Sequence, residues 1–308
     1  MSLRRFKLSV IIITIQLFII NGTAFCDAVV KEFTDETKRV VTIKDFPPKR
    51  IISLAPASTE ILFELGFDEE IVGVTRECDY PKKARDKKRV GEYMNFNIET
   101  IVSLKPDLVI MPAEGSIKGK LNELERLGLI VYTVSTKNID DLLTTIKDIG
   151  SVTGKRKEGE ALAERVEDEI DAVKKRLIGV KKKTVFCIIG IEPIIGAGAN
   201  TLIGDIIKVA GGVNIIGEDA PDYPVVNLEG LYVKNPEVIL ISSMGSEEVS
   251  KNSNPVLDKF SKTGAAKKGA VFMVDSDVLC RPSYRIIDAI KDVAKKIHPE
   301  TFIAEGEK

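Results

Sequence analysis

The chain contains no tryptophan and a single histidine in 308 residues. The histidine, His298, stands beside Pro299 just past the last helical segment, so it reads as an exposed helix-end residue next to a breaker. That position argues against Ser-His-Asp chemistry, and one imidazole rules out a multi-histidine metal site. The four cysteines, Cys26, Cys78, Cys187 and Cys280, are scattered without a CxxC spacing. Once the leader described below is removed three remain, an odd number, which excludes a disulfide scaffold and leaves one bridge, Cys187 to Cys280, open. No GxxxxGK[ST] phosphate loop occurs. The run Gly196-Ala197-Gly198-Ala199-Asn200-Thr201 approaches a dinucleotide fingerprint, but Thr201 stands where the third glycine belongs, and a tight βα turn explains it better. An α/β enzyme holding a nucleotide at that turn is the rival from another class. The missing glycine and the lack of a catalytic set weigh against it.

Long apolar runs are also scarce, and the one present lies at the start. Arg4, Arg5 and Lys7 precede Leu8 to Ile20, and the small-polar stretch from Asn21 to Ala28 follows. These are the parts of a secretory signal peptide. An uncleaved anchor is the alternative, since no charge falls between Leu8 and Cys26 and about 20 residues suffice to span a bilayer. Cleavage near Cys26 or Ala28 fits better. Cys26 also raises lipidation, but the bulky Phe25 favours a soluble exported protein over a lipid-anchored one. Removing residues 1–26 takes away three basic and no acidic residues, so 45 basic become 42 against 46 acidic, a net charge of −4. That balance argues against a nucleic-acid surface.

What is abundant is repetition. Tyr93-Met94-Asn95-Phe96-Asn97-Ile98-Glu99, leading to Lys105-Pro106-Asp107-Leu108-Val109-Ile110, returns 130 positions later as Tyr223-Pro224-Val225-Val226-Asn227-Leu228-Glu229, leading to Asn235-Pro236-Glu237-Val238-Ile239-Leu240. Around these copies the chain alternates short apolar strands with capped helices. Lys31 to Lys44 reads as a hairpin or edge strand. Strands follow at Ile51–Leu54, Ile71–Val74, Leu108–Met111, Ile130–Val134, Thr184–Ile189, Val238–Ile241 and Val271–Val274. Ser58 or Thr59 is the expected cap for Glu60–Leu65, Asn97 for the helix to Leu104, and Asn200 for Leu202–Ala210. A closing helix runs from Arg285 to Ile297. This rhythm predicts α/β architecture with parallel sheets. Between the two halves, Ala161, Leu162, Val166, Ile170, Val173 and Leu177 hold one face of Lys155 to Ile178, an amphipathic helix of about 36 Å. The expected organisation is a signal peptide at 1–28, an N-terminal lobe at 29–153, a connecting helix at 154–180 and a C-terminal lobe at 181–308.

Within each copy, Glu99 and Glu229 fall in the first turn of a helix, where a carboxylate gains about 0.3–1 kcal/mol from the helix dipole. They are equally placed to meet basic residues of a partner, and the two roles are compatible. Tyr93 and Tyr223 lie just before those helices, where α/β lobes present ligand contacts. Half-buried loop tyrosines are the plainer alternative.

Three further segments carry a resemblance. Lys49 to Glu60 (KRIISLAPASTE), Val72 to Pro81 (VGVTRECDYP) and Leu104 to Ile110 (LKPDLVI) resemble the iron-siderophore/vitamin B12 class of periplasmic substrate-binding proteins. The likeness covers about residues 40–304 and leans towards the corrinoid branch. It implies two Rossmann-like lobes joined by one long rigid α-helix, with the ligand cleft between them and little hinge motion. By position, Glu99 and Glu229 match docking glutamates that pair with arginines of an ABC transporter permease. Tyr93 and Tyr223 match aromatic positions near the corrin, Glu77 matches a ligand contact, and Asp277 to Arg281 matches another contact segment. A corrinoid is a large, semi-apolar disc with amide arms. Pro56, Tyr93 and Tyr223 as walls with Arg281 as a polar contact suit it. The resemblance therefore implies a monomeric, exported, non-enzymatic carrier with no cofactor, whose cargo is a corrinoid such as cobalamin. A ferric siderophore or haem is the alternative cargo.

Overall fold

A computed structural model of the chain describes residues 29–113, 118–242 and 259–302. The segment expected to be a leader, with Phe25 and Cys26, lies outside the described residues. The chain opens with an antiparallel hairpin of β1 (Lys31–Thr34) and β2 (Val40–Ile43). Then β3 (Ile51–Ser53), α1 (Pro56–Glu64), β4 (Ile71–Val74), α2 (Ile98–Ser103), β5 (Leu108–Pro112), α3 (Lys118–Arg126) and β6 (Val131–Val134) build a parallel sheet in the order β4-β3-β5-β6. After α4 (Ile139–Thr153) and α5 (Arg156–Arg176) a second sheet forms from β7 (Lys183–Ile191), β9 (Gly212–Asn214), β10 (Val238–Ser242) and β11 (Val271–Val274). Its parallel order is β9-β7-β10-β11, the same path as in the first lobe, and β8 (Ile194–Gly196) folds back antiparallel on β7. The helices of this half are α6 (Leu202–Val209), α7 (Leu228–Lys234), α8 (Gly264–Lys267), α9 (Ser276–Leu279), α10 (Ile286–Ile297) and α11 (Pro299–Phe302).

The sequence repeat has a structural cause in each half. Asn97 caps α2 by accepting from the Thr100 amide at 2.7 Å, and Asn227 caps α7 by accepting from Gly230 at the same distance. Each helix ends in a left-handed residue, Lys105 (φ 47°) and Asn235 (φ 41°), which turns the chain into the following proline. The next acid then ties the sheet. Asp107 accepts the amides of Lys49 and Arg50 at the mouth of β3, and Glu237 accepts that of Thr184 at β7, all at 2.9 Å. Asparagine, proline and acid are thus accounted for by the backbone. The repeated tyrosine and the first-turn glutamate are not.

Helices α4 and α5 pack antiparallel and span both lobes. Each carries a glycine at their crossing. A Cβ on Gly150 would meet the Gly159 Cα at 2.8 Å, so only a bare backbone permits this approach. The start of α4 is tied to the C-terminal half, where Asp205 of α6 accepts the Ile139 amide at 3.1 Å. The start of α5 is tied to the N-terminal half, where Lys155 donates to the carbonyls of Leu65 and Gly66. Its far end returns to the other lobe through Arg176 and the Thr301 carbonyl at 2.8 Å. One continuous core runs from Val41 and Ile61 through Leu142, Val166 and Ile170 to Ile206 and Ile290. Separating the lobes would expose that core, so the spine holds them as a unit.

Several local expectations need correction. The cap of α1 is Ala55, with Pro56 as the first helical residue, and Ser58 and Thr59 are buried inside the helix. Proline's fixed φ starts the helix three or four residues earlier than a Ser58 or Thr59 cap would. For α6 the cap is Thr201, which accepts from the Gly204 amide at 3.1 Å, whereas Asn200 reaches the Glu218 carbonyl. His298 is fully buried rather than exposed. The apolar face of α10 continues into it, and its Nε2 lies 3.1 Å from the Gly211 carbonyl. Cys187 and Cys280 are both free thiols, so the bridge left open by the sequence is not formed.

Candidate functional site

In both sheets the carboxyl ends of the parallel strands face one cleft of about 620 Å³, within the usual range for a small-molecule site, roughly 300–1,000 Å³. From the first lobe come Ala55 to Ser58 after β3, Glu77 after β4, Pro112 at the end of β5 and Val134 to Lys137 after β6. The second lobe supplies Ile189 of β7, Asn200 to Ile203 at the start of α6, Asp222 with Tyr223, and Leu279 to Pro282. Loops at the strand ends of two open sheets are where such folds bind ligands.

The structure brings five of the six nominated ligand residues, Pro56, Glu77, Tyr93, Tyr223 and Arg281, to this cleft. The tyrosines are held by different devices. On one side Glu77 accepts the Tyr93 amide at 2.8 Å, so this carboxylate anchors the loop that carries the ring. On the other, the Gly196 and Gly198 amides donate to the carbonyls of Pro224 and Asp222 at 3.0 and 2.7 Å, bracketing Tyr223. A Cβ at Gly198 would approach the Pro221 carbonyl oxygen to 2.9 Å. These glycines serve close contact with the Tyr223 loop, and their amides are not available to cradle a phosphate. Tyr223 is 51 % exposed.

Asp277 does not line the cleft. It stands behind Arg281 and pairs with it at 2.9 Å, one helical turn away. The same guanidinium meets Asp79 at 2.7 Å and the buried Glu60 at 3.4 Å. Burial works to raise the Asp79 pKa, but the hydrogen bond and charge of Arg281 outweigh it and hold the carboxyl low. Asp277 moves the other way, pushed up by burial and by Asp79 and Asp275 despite Arg281. Arg281 therefore enters the cleft already balanced by three carboxylates. Among the described residues that line the cleft, Lys137 is the other cation, and Glu77 and Asp222 are the acids.

Glu99 and Glu229 lie away from the cleft, exposed in the first turns of α2 and α7. Sequence reasoning missed much of the lining, among it Pro112, Thr136, Lys137, Ile189 and Pro282. Pro112, Ile189, Thr136 and Lys137 lie at or just past the carboxyl end of a strand, which becomes visible only once strand direction is known, while Pro282 follows the short helix α9. Among the described residues no cluster of His, Cys, Asp or Glu could hold a metal ion, and no helix is long and apolar enough to cross a membrane.

Two parallel βα lobes on a shared helical spine, with a cleft fed by both sets of strand ends, define a bilobal ligand-capturing protein. The chain belongs to the periplasmic binding protein family, whose description matches residues 51–278. It is similar to the vitamin B12-binding protein of Vibrio campbellii, at 30 % identity over 83 % of this chain and 90 % of that one. It is likewise 30 % identical to YvrC, an ABC transporter substrate-binding lipoprotein of Bacillus subtilis, over 87 % of this chain and 85 % of the relative. Among solved structures, the periplasmic vitamin B12-binding protein BtuF of Vibrio cholerae superposes with a TM-score of 0.72 at 29 % identity, covering 85 % of this chain and 99 % of that one. The periplasmic haem-binding protein RhuT from Roseiflexus shares the fold, with a TM-score of 0.73 at 24 % identity over 82 % of this chain and 99 % of its own. The protein thus belongs to a family of substrate-binding proteins that serve transport rather than catalysis.

Proposed function

We propose that the cleft captures a corrinoid, cobalamin or a close analogue, and that Glu99 and Glu229 present the loaded protein to the transporter's permease. The observation that carries this reading is the state of Arg281. Its charge is met by Glu60, Asp79 and Asp277, so among the described residues the lining offers no cluster of uncommitted cations for an anionic ferric siderophore or for the two carboxylates of haem. A disc with neutral amide arms needs apolar walls and scattered polar contacts instead, which Pro56, Pro112, Ile189, Tyr93 and Tyr223 with Thr136 and Asn200 supply. Haem is the second reading, favoured by the two tyrosines of the lining, whose phenols are axial donors of a suitable kind.

In this reading the leader of residues 1–28 exports a soluble monomer, in preference to a form lipidated at Cys26. The deciding experiment is equilibrium dialysis or calorimetry of the protein against cyanocobalamin, cobinamide, a ferric hydroxamate and haemin. A direct method suits a chain without tryptophan. One-to-one binding of the two corrinoids alone is the expected result. Binding of only the hydroxamate or haemin would overturn the cargo while leaving the transport role intact.

A further inference from the structure

Glu60 is the least expected side chain in the molecule. It lies on α1 at 1 % exposure, in the body of the protein and close to the seam between the lobes. Its partners all come from the C-terminal half, more than 220 positions away in sequence. Ser283 donates its hydroxyl to Glu60 Oε2, while Arg285 and Arg281 approach Oε1 at 3.2 and 3.4 Å. Arg285 is fixed from its other face by Tyr80 of the N-terminal half, whose ring centroid lies 3.8 Å from the guanidinium carbon. Arg281 is held in turn by Asp79 and Asp277. Both arginine side chains are only 15–16 % exposed.

Such a group is a poor investment for stability alone. Withdrawing charges from water costs several kcal/mol per ion, and a packed apolar residue does as well or better. Burial indeed pushes the Glu60 carboxyl up, against the pull of Ser283, Arg285 and Arg281. What the cluster supplies is geometry. Pro56 and Glu60 are four residues apart on α1 and so share a face. Pro56 forms part of the cleft wall, and Glu60, one turn deeper, grips the segment that delivers Arg281 and Pro282 to the opposite wall.

We propose that Glu60 is a positioning residue for the cleft: its carboxylate clamps the Arg281–Arg285 segment of one lobe against α1 of the other, and so fixes both the orientation of Arg281 and the width of the site. The affinity arm of the test rests on the corrinoid reading above, and the exchange arm does not. Glu60→Gln keeps the shape and an acceptor for Ser283 but removes the charge. It is expected to weaken cyanocobalamin binding about tenfold, or about 1.4 kcal/mol. Arg281→Met is expected to weaken it similarly, and the double variant to be no weaker than Arg281→Met alone, because Glu60 acts through that arginine. Hydrogen exchange at the amides of 281 and 283–286 in the ligand-free protein is expected to quicken at least tenfold in Glu60→Gln, while amides of β3 and β5 stay as they are. Ser283→Ala, which removes only a neutral partner, gives a smaller change in the same direction and stands in if Glu60→Gln does not fold. Wild-type affinity and exchange in Glu60→Gln, or losses that simply add in the double variant, would overturn the clamp. If the wild-type protein binds no corrinoid, the cargo reading fails, and the exchange result still decides the clamp.

Discussion

Tyr223→Ala is the substitution whose effect on binding follows most directly from the structure. The ring stands 51 % exposed in the open cleft, on a loop whose backbone is pinned on both sides by Gly196 and Gly198. A tyrosine carries about 200 Å² of surface, so about 100 Å² remains for a ligand to cover. A flat ligand that stacks on one face hides about half of that, and at about 25 cal/mol per Å² this amounts to about 1.3 kcal/mol. Removing the ring should therefore weaken binding of cyanocobalamin about tenfold. Because the loop is already ordered, little of that gain is offset by ordering entropy. Calorimetry of wild type, Tyr223→Ala and Tyr223→Phe measures it. Tyr223→Phe keeps the apolar face and is expected to stay within about threefold of wild type. An affinity for Tyr223→Ala within twofold of wild type would refute the reasoning and leave the ring a structural role only. A loss in Tyr223→Phe as large as in Tyr223→Ala would instead assign the contact to the phenol oxygen, as an axially ligated haem requires.

Other expectations can be tested alongside it. The double variant Glu99→Ala, Glu229→Ala should bind ligand as the wild type does, yet stimulate the permease's ATPase at least tenfold less; lost ligand binding would break the separation of capture from docking. Gly150→Ala forces a Cβ to within 2.8 Å of Gly159 at the crossing of α4 and α5, and should cost about 1–3 kcal/mol in denaturant melts. The same change at Gly119, where a Cβ meets nothing within 4 Å, should be neutral or stabilising by up to about 1 kcal/mol; equal losses at both would refute the packing argument. Asp35 is 2 % exposed. Burial alone would raise its pKa, but hydrogen bonds from Thr133, Arg39 and Thr37 outweigh it and hold the carboxyl below its ordinary value. Such a depressed pKa contributes stability that is present above the unfolded value, about 3.9, and is lost as pH falls through the folded one. Asp35→Ala should thus cost about 3 kcal/mol at neutral pH and less below pH 4; a penalty that does not shrink in acid would sink the assignment.

The sequence by itself determined what neighbours along the chain decide. Apolar periodicity located most of the strands, and Asn97 and Asn227 marked their helices because a cap needs only an acceptor and an amide three residues on. The repeat at 130 positions announced two lobes of one construction, and the strand orders β4-β3-β5-β6 and β9-β7-β10-β11 bear that likeness out. Tyr93 and Tyr223 were legible as cleft candidates because loops at element ends are where such lobes present side chains, and Pro56 entered through the family resemblance.

Tertiary structure alone decided the rest. Ser58 and Thr59 are good caps in isolation, yet Pro56 starts α1 earlier and buries both. His298 has every local mark of exposure, but the Gly211 carbonyl, 87 positions distant, takes its imidazole inside. Glu77 looked like a ligand contact and is also the anchor of the Tyr93 amide. Most of all, Arg281 reads as a free cationic contact in sequence, whereas Glu60 and Asp79, more than 200 positions away, neutralise it in the fold. Helix caps and apolar periods are set by residues a few bonds apart, and so are written locally. Burial, ion pairing and the width of a cleft depend on which distant segments the two sheets bring together, and no local pattern encodes that.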